Sequence, residues 1–378
     1  MYKRQSIYRL YNAMDRVRCV QFDAGHNYNE DSREAVYEWF GRWLLGTAEG
    51  EKLRGRPFEV EKPEDLLVFS DEPKPADALD AQGVTDYLVK NARRQLEELK
   101  PRDRGSFERF RDVMGKALQH ALSAKFPSKS DLRFELTGAT RRDGYTVERV
   151  LLGRKDKGER IPAVAFVPWD PEGPATLVVH PSGKAVLADL GRAEPGPLVS
   201  GLLGRGHIVL AIDPFLTGEY NSPFGPARRD ESVRFFTTFN RTHTAERVQD
   251  ILTALAYLKS MDGVEEVNLV GLEEAGLWCL LARGVADGVA RTAVDVSKFD
   301  ADEDEEWLDR LYIPCIRRAG DFRTAGALAA PNPLLIHNTG GRFKTDWIAD
   351  VYRAMGAEEA LTVRRERMSE GEIVEWIA

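Results

Sequence analysis

Apolar and polar positions alternate with different periods along this chain. Residues 84–99 and 107–124 place apolar side chains at three- and four-residue steps with dense charge between them, which predicts two amphipathic helices. Beyond Lys129 the pattern shortens to that of strands, at 132–136, 145–152 and 161–167. The last two are joined by Gly153-Arg154-Lys155-Asp156-Lys157-Gly158, which predicts an antiparallel hairpin. Continuously apolar runs then alternate with helical segments, at 175–179, 207–212, 267–270, 291–296, 333–336 and 360–363. Strands that are apolar on both faces and separated by helices predict a mostly parallel twisted sheet with helices on both sides. The expected class is α/β, with the antiparallel hairpin at the N-terminal end of the sheet.

The beginning of the chain reads as a second copy of its end. Ile7-Tyr8-Arg9-Leu10-Tyr11-Asn12-Ala13-Met14 matches Ile348-Ala349-Asp350-Val351-Tyr352-Arg353-Ala354-Met355, and Glu38-Trp39-Phe40 matches Glu375-Trp376-Ile377. An apolar stretch lies between the two matches in each copy, Val17-Arg18-Cys19-Val20-Gln21-Phe22 in the first and Ala360-Leu361-Thr362-Val363 in the second, and both are expected to be strands. A repeat of this kind marks a duplicated supersecondary unit. Only the first copy carries a histidine, in Gly25-His26-Asn27-Tyr28, ahead of a helix expected over 32–45. Between the copies, residues 47–80 lose periodicity and fill with Glu, Lys, Pro and Gly, as a solvated linker does. The expected organisation is a terminal strand and helix over 1–46, a linker over 47–80, a helical collar over 81–128 and the main domain over 129–378.

A net charge of −8 argues against nucleic acid or anionic membrane as a partner, because either needs a clustered basic face. No run approaches the roughly 18 apolar residues of a membrane helix, and Met1-Tyr2-Lys3-Arg4-Gln5 leads into an amphipathic helix rather than a signal segment. The chain as written is expected to stay in the cytosol, an exported parent protein being the alternative. Three cysteines, Cys19, Cys279 and Cys315, have neither disulfide nor zinc spacing and are expected to be buried thiols.

An antiparallel start followed by parallel strands resembles the α/β-hydrolase fold, whose ligand crevice lies beyond the carboxyl ends of the strands. Five strand-to-helix turns can be placed there. His180-Pro181-Ser182-Gly183-Lys184 is the expected oxyanion region, with Ser182 and Lys184 read as solvated. Asp213-Pro214-Phe215-Leu216-Thr217-Gly218-Glu219 is read as structural, its carboxylate fixing backbone amides. In Gly271-Leu272-Glu273-Glu274-Ala275-Gly276 the strand, tight turn and helix of a Gly-x-Ser-x-Gly nucleophile elbow are present, with Glu273 in the serine slot and the Glu274 amide in the oxyanion region. A Glu nucleophile is chemically conceivable, but one extra methylene shifts its oxygen by roughly 1 Å, which can cost about a hundredfold. Glu273 is therefore read mainly as a solvated carboxylate near the N-terminus of the next helix. The fourth turn, Ile336-His337-Asn338-Thr339, offers no acid, and the fifth, Val363-Arg364-Arg365-Glu366-Arg367-Met368-Ser369-Glu370, offers no histidine. His180 and His337 are read as rings satisfied by backbone.

With Arg141-Arg142-Asp143-Gly144-Tyr145-Thr146-Val147-Glu148, Ile161-Pro162-Ala163-Val164-Ala165-Phe166-Val167-Pro168 and Ala329-Ala330-Pro331-Asn332-Pro333-Leu334-Leu335-Ile336-His337, these turns resemble the acetylxylan-esterase-like and dienelactone-hydrolase-like α/β hydrolases. The resemblance implies hydrolysis of carboxylic esters, small or on plant polysaccharide, without metal or cofactor. It implies His26 as the general base of an incomplete upstream copy, and so an upstream hydrolase domain as partner. Three functions follow as expectations: a degenerate or truncated esterase, a non-catalytic carbohydrate-binding or scaffold domain, or a hydrolase with Glu273 as nucleophile.

Overall fold

The computed structural model describes residues 2–171, 173–221 and 229–378, with side chains in the first helix from Gln5 onward. The chain forms two compact units, Met1–Asp80 and Ala81–Ala378.

The first unit holds the helix Tyr2–Leu10, a 3-10 turn Met14–Arg16, and the helix Glu30–Phe40 continuing into a π-turn Gly41–Leu45. Asn29 caps the second helix by accepting from the Ser32 amide at 3.0 Å. Gly41 alone is buried among the described residues of this unit. The strand expected at 17–22 is extended but unpaired, and its backbone makes no main-chain hydrogen bond among the described residues. A strand is completed by a neighbour that accepts and donates in its ladder, and the described residues of this unit supply none.

The second unit opens with the helix Ala81–Leu99, then Arg104–Phe110, a π-turn Arg111–Gly115 and the helix Lys116–Leu122, so the helix expected over 107–124 is broken by one wide turn. Its sheet is built from β1 Leu132–Arg142, β2 Tyr145–Arg154, β3 Ile161–Pro168, β4 Ala175–Val179, β7 Ile208–Ile212, β8 Val267–Gly271, β9 Thr292–Asp295, β10 Leu334–His337 and β11 Leu361–Val363. A separate two-stranded ladder pairs β5 Ala188–Asp189 with β6 Glu194–Pro195. The nine-stranded order is β1-β2-β3-β7-β4-β8-β9-β10-β11. The pairs β1/β2, β2/β3 and β3/β7 are antiparallel. The remaining five, from β7/β4 to β10/β11, are parallel.

Alternation of side chains along the central strands explains why both faces are covered. Leu177, Val179 and Leu269 enter one core with Trp278, Phe299 and Phe322, while Val178, Val270 and Leu335 enter the other with Leu198, Leu202 and Ile373. Every residue of β4, β7 and β8 is buried, as their unbroken apolar runs require. Cys279 is buried, whereas Cys19 and Cys315 are exposed, against the expectation for all three. Cys315 lies in a loop and Cys19 in the unpaired stretch of the first unit, so neither is covered by a sheet face.

Candidate functional site

The parallel strands place six loops at one end of the sheet. At the centre, β8 ends at Gly271, and Glu273 sits at the apex of the turn with φ of 50°, a left-handed conformation that a non-glycine side chain adopts at a cost of about 1–3 kcal/mol. The helix Ala275–Arg283 follows at once. Its second residue must be glycine, because a Cβ on Gly276 would fall 2.0 Å from the Asp295 carbonyl oxygen. That close approach puts the turn beside the end of β9. Ser297, Lys298 and Asn338 are also left-handed, at 47°, 54° and 59°, so backbone strain gathers at this end of the sheet.

Glu273 is not a freely solvated carboxylate. Its Oε1 accepts from Nη2 of Arg367 at 3.2 Å, and its Oε2 lies 3.5 Å from Nε2 of His180. Arg367, in the loop after β11, turns its Nε to within 3.7 Å of Oδ2 of Asp295. Asp295 ends β9 in register with His337 and is buried, its Oδ1 accepting from the Ser297 amide at 2.7 Å and from Nδ2 of Asn338 at 2.8 Å. A row of carboxylate, guanidinium and carboxylate thus runs from the β8 turn to the end of β9. The outer pair is half-exposed and adds at most about 1 kcal/mol to stability. Its importance is positional.

The two histidines face the row without a free lone pair. The Ser182 amide donates to Nδ1 of His180 at 3.1 Å, which leaves the ring proton on Nε2, toward Glu273. The Met368 amide donates to Nδ1 of His337 at 3.2 Å, and Nε2 of that ring finds no hydrogen-bond partner among the described residues. Burial pushes His180, His207 and His337 below the ordinary imidazole range, and for His180 and His337 it outweighs the opposing pull of Glu273 and Asp295 respectively. The unfolded chain then takes up protons first as pH falls through about 6.5, so stability that is complete above that pH is lost below it. We expect the imidazole carbon protons of these three residues to titrate by NMR with midpoints below about 6.5; higher midpoints would contradict the burial seen here.

Lys184 corrects the reading of the first turn. It is buried rather than solvated, with Nζ 2.5 Å from Oδ2 of Asp213 and 2.5 Å from Oε1 of Glu219. Asp213 also accepts from the amides of Lys184 at 2.7 Å and Glu219 at 2.9 Å, and so ties the loops after β4 and β7 together. Gly183, with φ of 86°, lies so near that a Cβ would meet Oδ1 of Asp213 at 2.4 Å. The Gly183 amide closes its own turn onto the His180 carbonyl at 3.0 Å, which removes it as a free donor. The carboxylate of Glu274 turns away to Nε of Arg310 at 3.3 Å.

Of the residues singled out in the sequence, Glu273, Glu274 and Gly183 lie on these loops, while His26 occupies an exposed turn of the first unit. Arg367 and Asp295 were missed. Arg367 follows β11 in a loop with no histidine, and Asp295 closes the apolar run of β9, so neither carries a local mark of the partner it meets. Asx-turn geometry at Asp295-Val296-Ser297 is the one local signal that marks it. A groove of about 730 Å³, lined by Leu96, Met114, Ala117, Arg241, Ala245 and Cys315 among others, involves none of the row.

No protein-family model matches the sequence, and no curated protein matches it. Among solved structures the chain is similar to a protein of Bacteroides fragilis NCTC 9343 assigned as an acetyl xylan esterase, with a TM-score of 0.55 and 16% identity, covering 76% of this chain and 82% of that one. It is also similar to a promiscuous CE15 esterase from a marine bacterial metagenome, with a TM-score of 0.52 and 12% identity, covering 70% and 90% respectively. At such identities the likeness is one of architecture, and it agrees with the strand order and the turn after β8: this chain has the α/β-hydrolase fold.

Proposed function

We propose that the second unit is a degenerate member of the carbohydrate-esterase lineage that no longer hydrolyses esters. The observation that carries this reading is Arg367, which takes the place after β11 where this fold presents its general base. A guanidinium stays protonated in proteins and cannot take a proton from a nucleophile or from water. Glu273, in the nucleophile slot, is held by that same cation. An ester reaching the crevice therefore meets a paired carboxylate, a fixed positive charge and two rings whose lone pairs are occupied.

The same geometry weighs against Glu273 as a working nucleophile. Attack by a carboxylate leaves an acyl intermediate whose release needs a base to activate water, and the row supplies none. The role that remains is binding or scaffolding. We expect hydrolysis of p-nitrophenyl acetate and acetylated xylan to be equal in the wild type and in Glu273→Gln. Turnover that disappears in Glu273→Gln would sink the proposal. Faint turnover common to both would not, since backbone donors and binding alone leave about 10³- to 10⁴-fold over water when a triad is broken.

A further inference from the structure

The two copies of the repeat fare differently. In the second unit, Ile348, Val351 and Tyr352 of the helix Asp346–Ala354 are all buried. The strand that follows, β11, pairs in parallel with β10 as Leu334↔Leu361, Leu335↔Thr362 and Ile336↔Val363. The closing helix Glu370–Ile377 buries Ile373, Val374 and Ile377, and a Cβ on Gly201 would meet the Val374 side chain at 2.9 Å. The first unit repeats the order helix, extended stretch, helix with the same signature residues. There Leu10, the counterpart of Val351, is 80% exposed against 0%. Tyr11, the counterpart of Tyr352, is likewise 80% exposed against 0%. Phe40, the counterpart of the buried Ile377, is exposed, and residues 17–22 have the composition of β11 without its ladder.

A segment with a single buried residue among those described does not offset the entropy of ordering its chain, which runs at about 1–2 kcal/mol per residue for the backbone alone. Its apolar positions are not scattered. They are those that the second copy buries against a hydrolase-fold sheet, which shows what covers such a segment. We infer that residues 2–45 are the closing helix-strand-helix of a partner: a hydrolase-fold domain whose own sheet stops one strand short. In the complex, residues 17–22 add in parallel to the open edge, while Ile7, Leu10, Tyr11 and Phe40 enter the partner's core. The turn carrying His26 then lies at the carboxyl end of the completed sheet, where this fold keeps its reacting groups. This inference is independent of the fate of Glu273.

Hydrogen exchange on the full chain tests it, with the polypeptide encoded immediately before Met1 as the probe partner. In the chain alone, amides of 17–22 should exchange within about tenfold of the unstructured rate, while those of 267–271 are strongly protected. The upstream polypeptide should be a hydrolase-fold domain lacking its last strand, and its presence should slow exchange at 17–22 by more than about a hundredfold. Leu10→Asp combined with Val20→Asp, both at exposed positions, should abolish that protection and leave 267–271 unchanged. The inference fails if 17–22 is already protected in the chain alone, where sedimentation would distinguish a second copy from an internal partner. It fails equally if the upstream polypeptide is not such a domain, or binds without protecting 17–22.

Discussion

Replacing Glu273 with serine and Arg367 with histidine together is expected to raise hydrolysis of p-nitrophenyl acetate at least about a hundredfold over the wild type, the lower end of what a positioned general base contributes. The turn after β8 already holds its apex residue at φ of 50°, so a serine there inherits a half-buried, left-handed position. The introduced imidazole would start where a guanidinium nitrogen now stands 3.7 Å from Oδ2 of Asp295. Asp295 itself is buried and aimed, with its other oxygen held by the Ser297 amide and the Asn338 side chain. It supplies the orienting acid that neither Asn338 nor the following loop offers. Residues that act as one unit are far from additive, so either single substitution should give little. Adding Asp295→Ala to the pair should remove most of the gain. A double variant that keeps its circular dichroism yet shows no rise would mean that Asp295 and the turn after β8 do not together position a serine and an imidazole for attack.

The second large effect concerns stability. Asp213→Ala should destabilise the second unit by about 3–5 kcal/mol, the range seen when one member of a buried ion pair is removed. Asp213 is 1% exposed and serves four partners: the Lys184 ammonium, the amides of Lys184 and Glu219, and the packing of Gly183 against it. Its loss leaves the Lys184 charge buried with Glu219 alone. Thermal denaturation should show a fall on the order of 10 °C. Lys184→Met should cost less, because the Asp213 carboxylate left without its cation still accepts from the backbone amides of residues 184 and 219. Equal losses in the two variants would show that the amide contacts of Asp213 add nothing beyond its pairing with Lys184.

Both expectations turn on residues far apart in sequence, which marks the boundary between what could be read from the chain and what could not. The apolar runs at 175–179, 207–212 and 267–270 already specified a sheet buried on both faces, because a strand's two faces are written in consecutive residues. The Gly271-to-Gly276 turn was legible for the same reason: strand end, bend and helix start are local. The repeat was legible too, and the pattern of apolar positions alone matched Leu10 and Tyr11 to Val351 and Tyr352.

What lay beyond the sequence was the meeting of side chains that only strand order brings together. Lys184 looked like a solvated loop residue until β4 and β7, neighbours in the sheet, brought Asp213 beside it. Residues 17–22 had the composition of a strand, yet a strand is a relation between two segments, and the described residues of the first unit hold only one. Arg367 and Asp295 come to Glu273 because β8, β9, β10 and β11 lie side by side, so loops separated by long stretches of chain end at one edge. Periodicity determined the fold of this protein, since burial is decided residue by residue; the charge row at the carboxyl end of its sheet was decided by tertiary structure, since Coulomb attraction acts between neighbours in space.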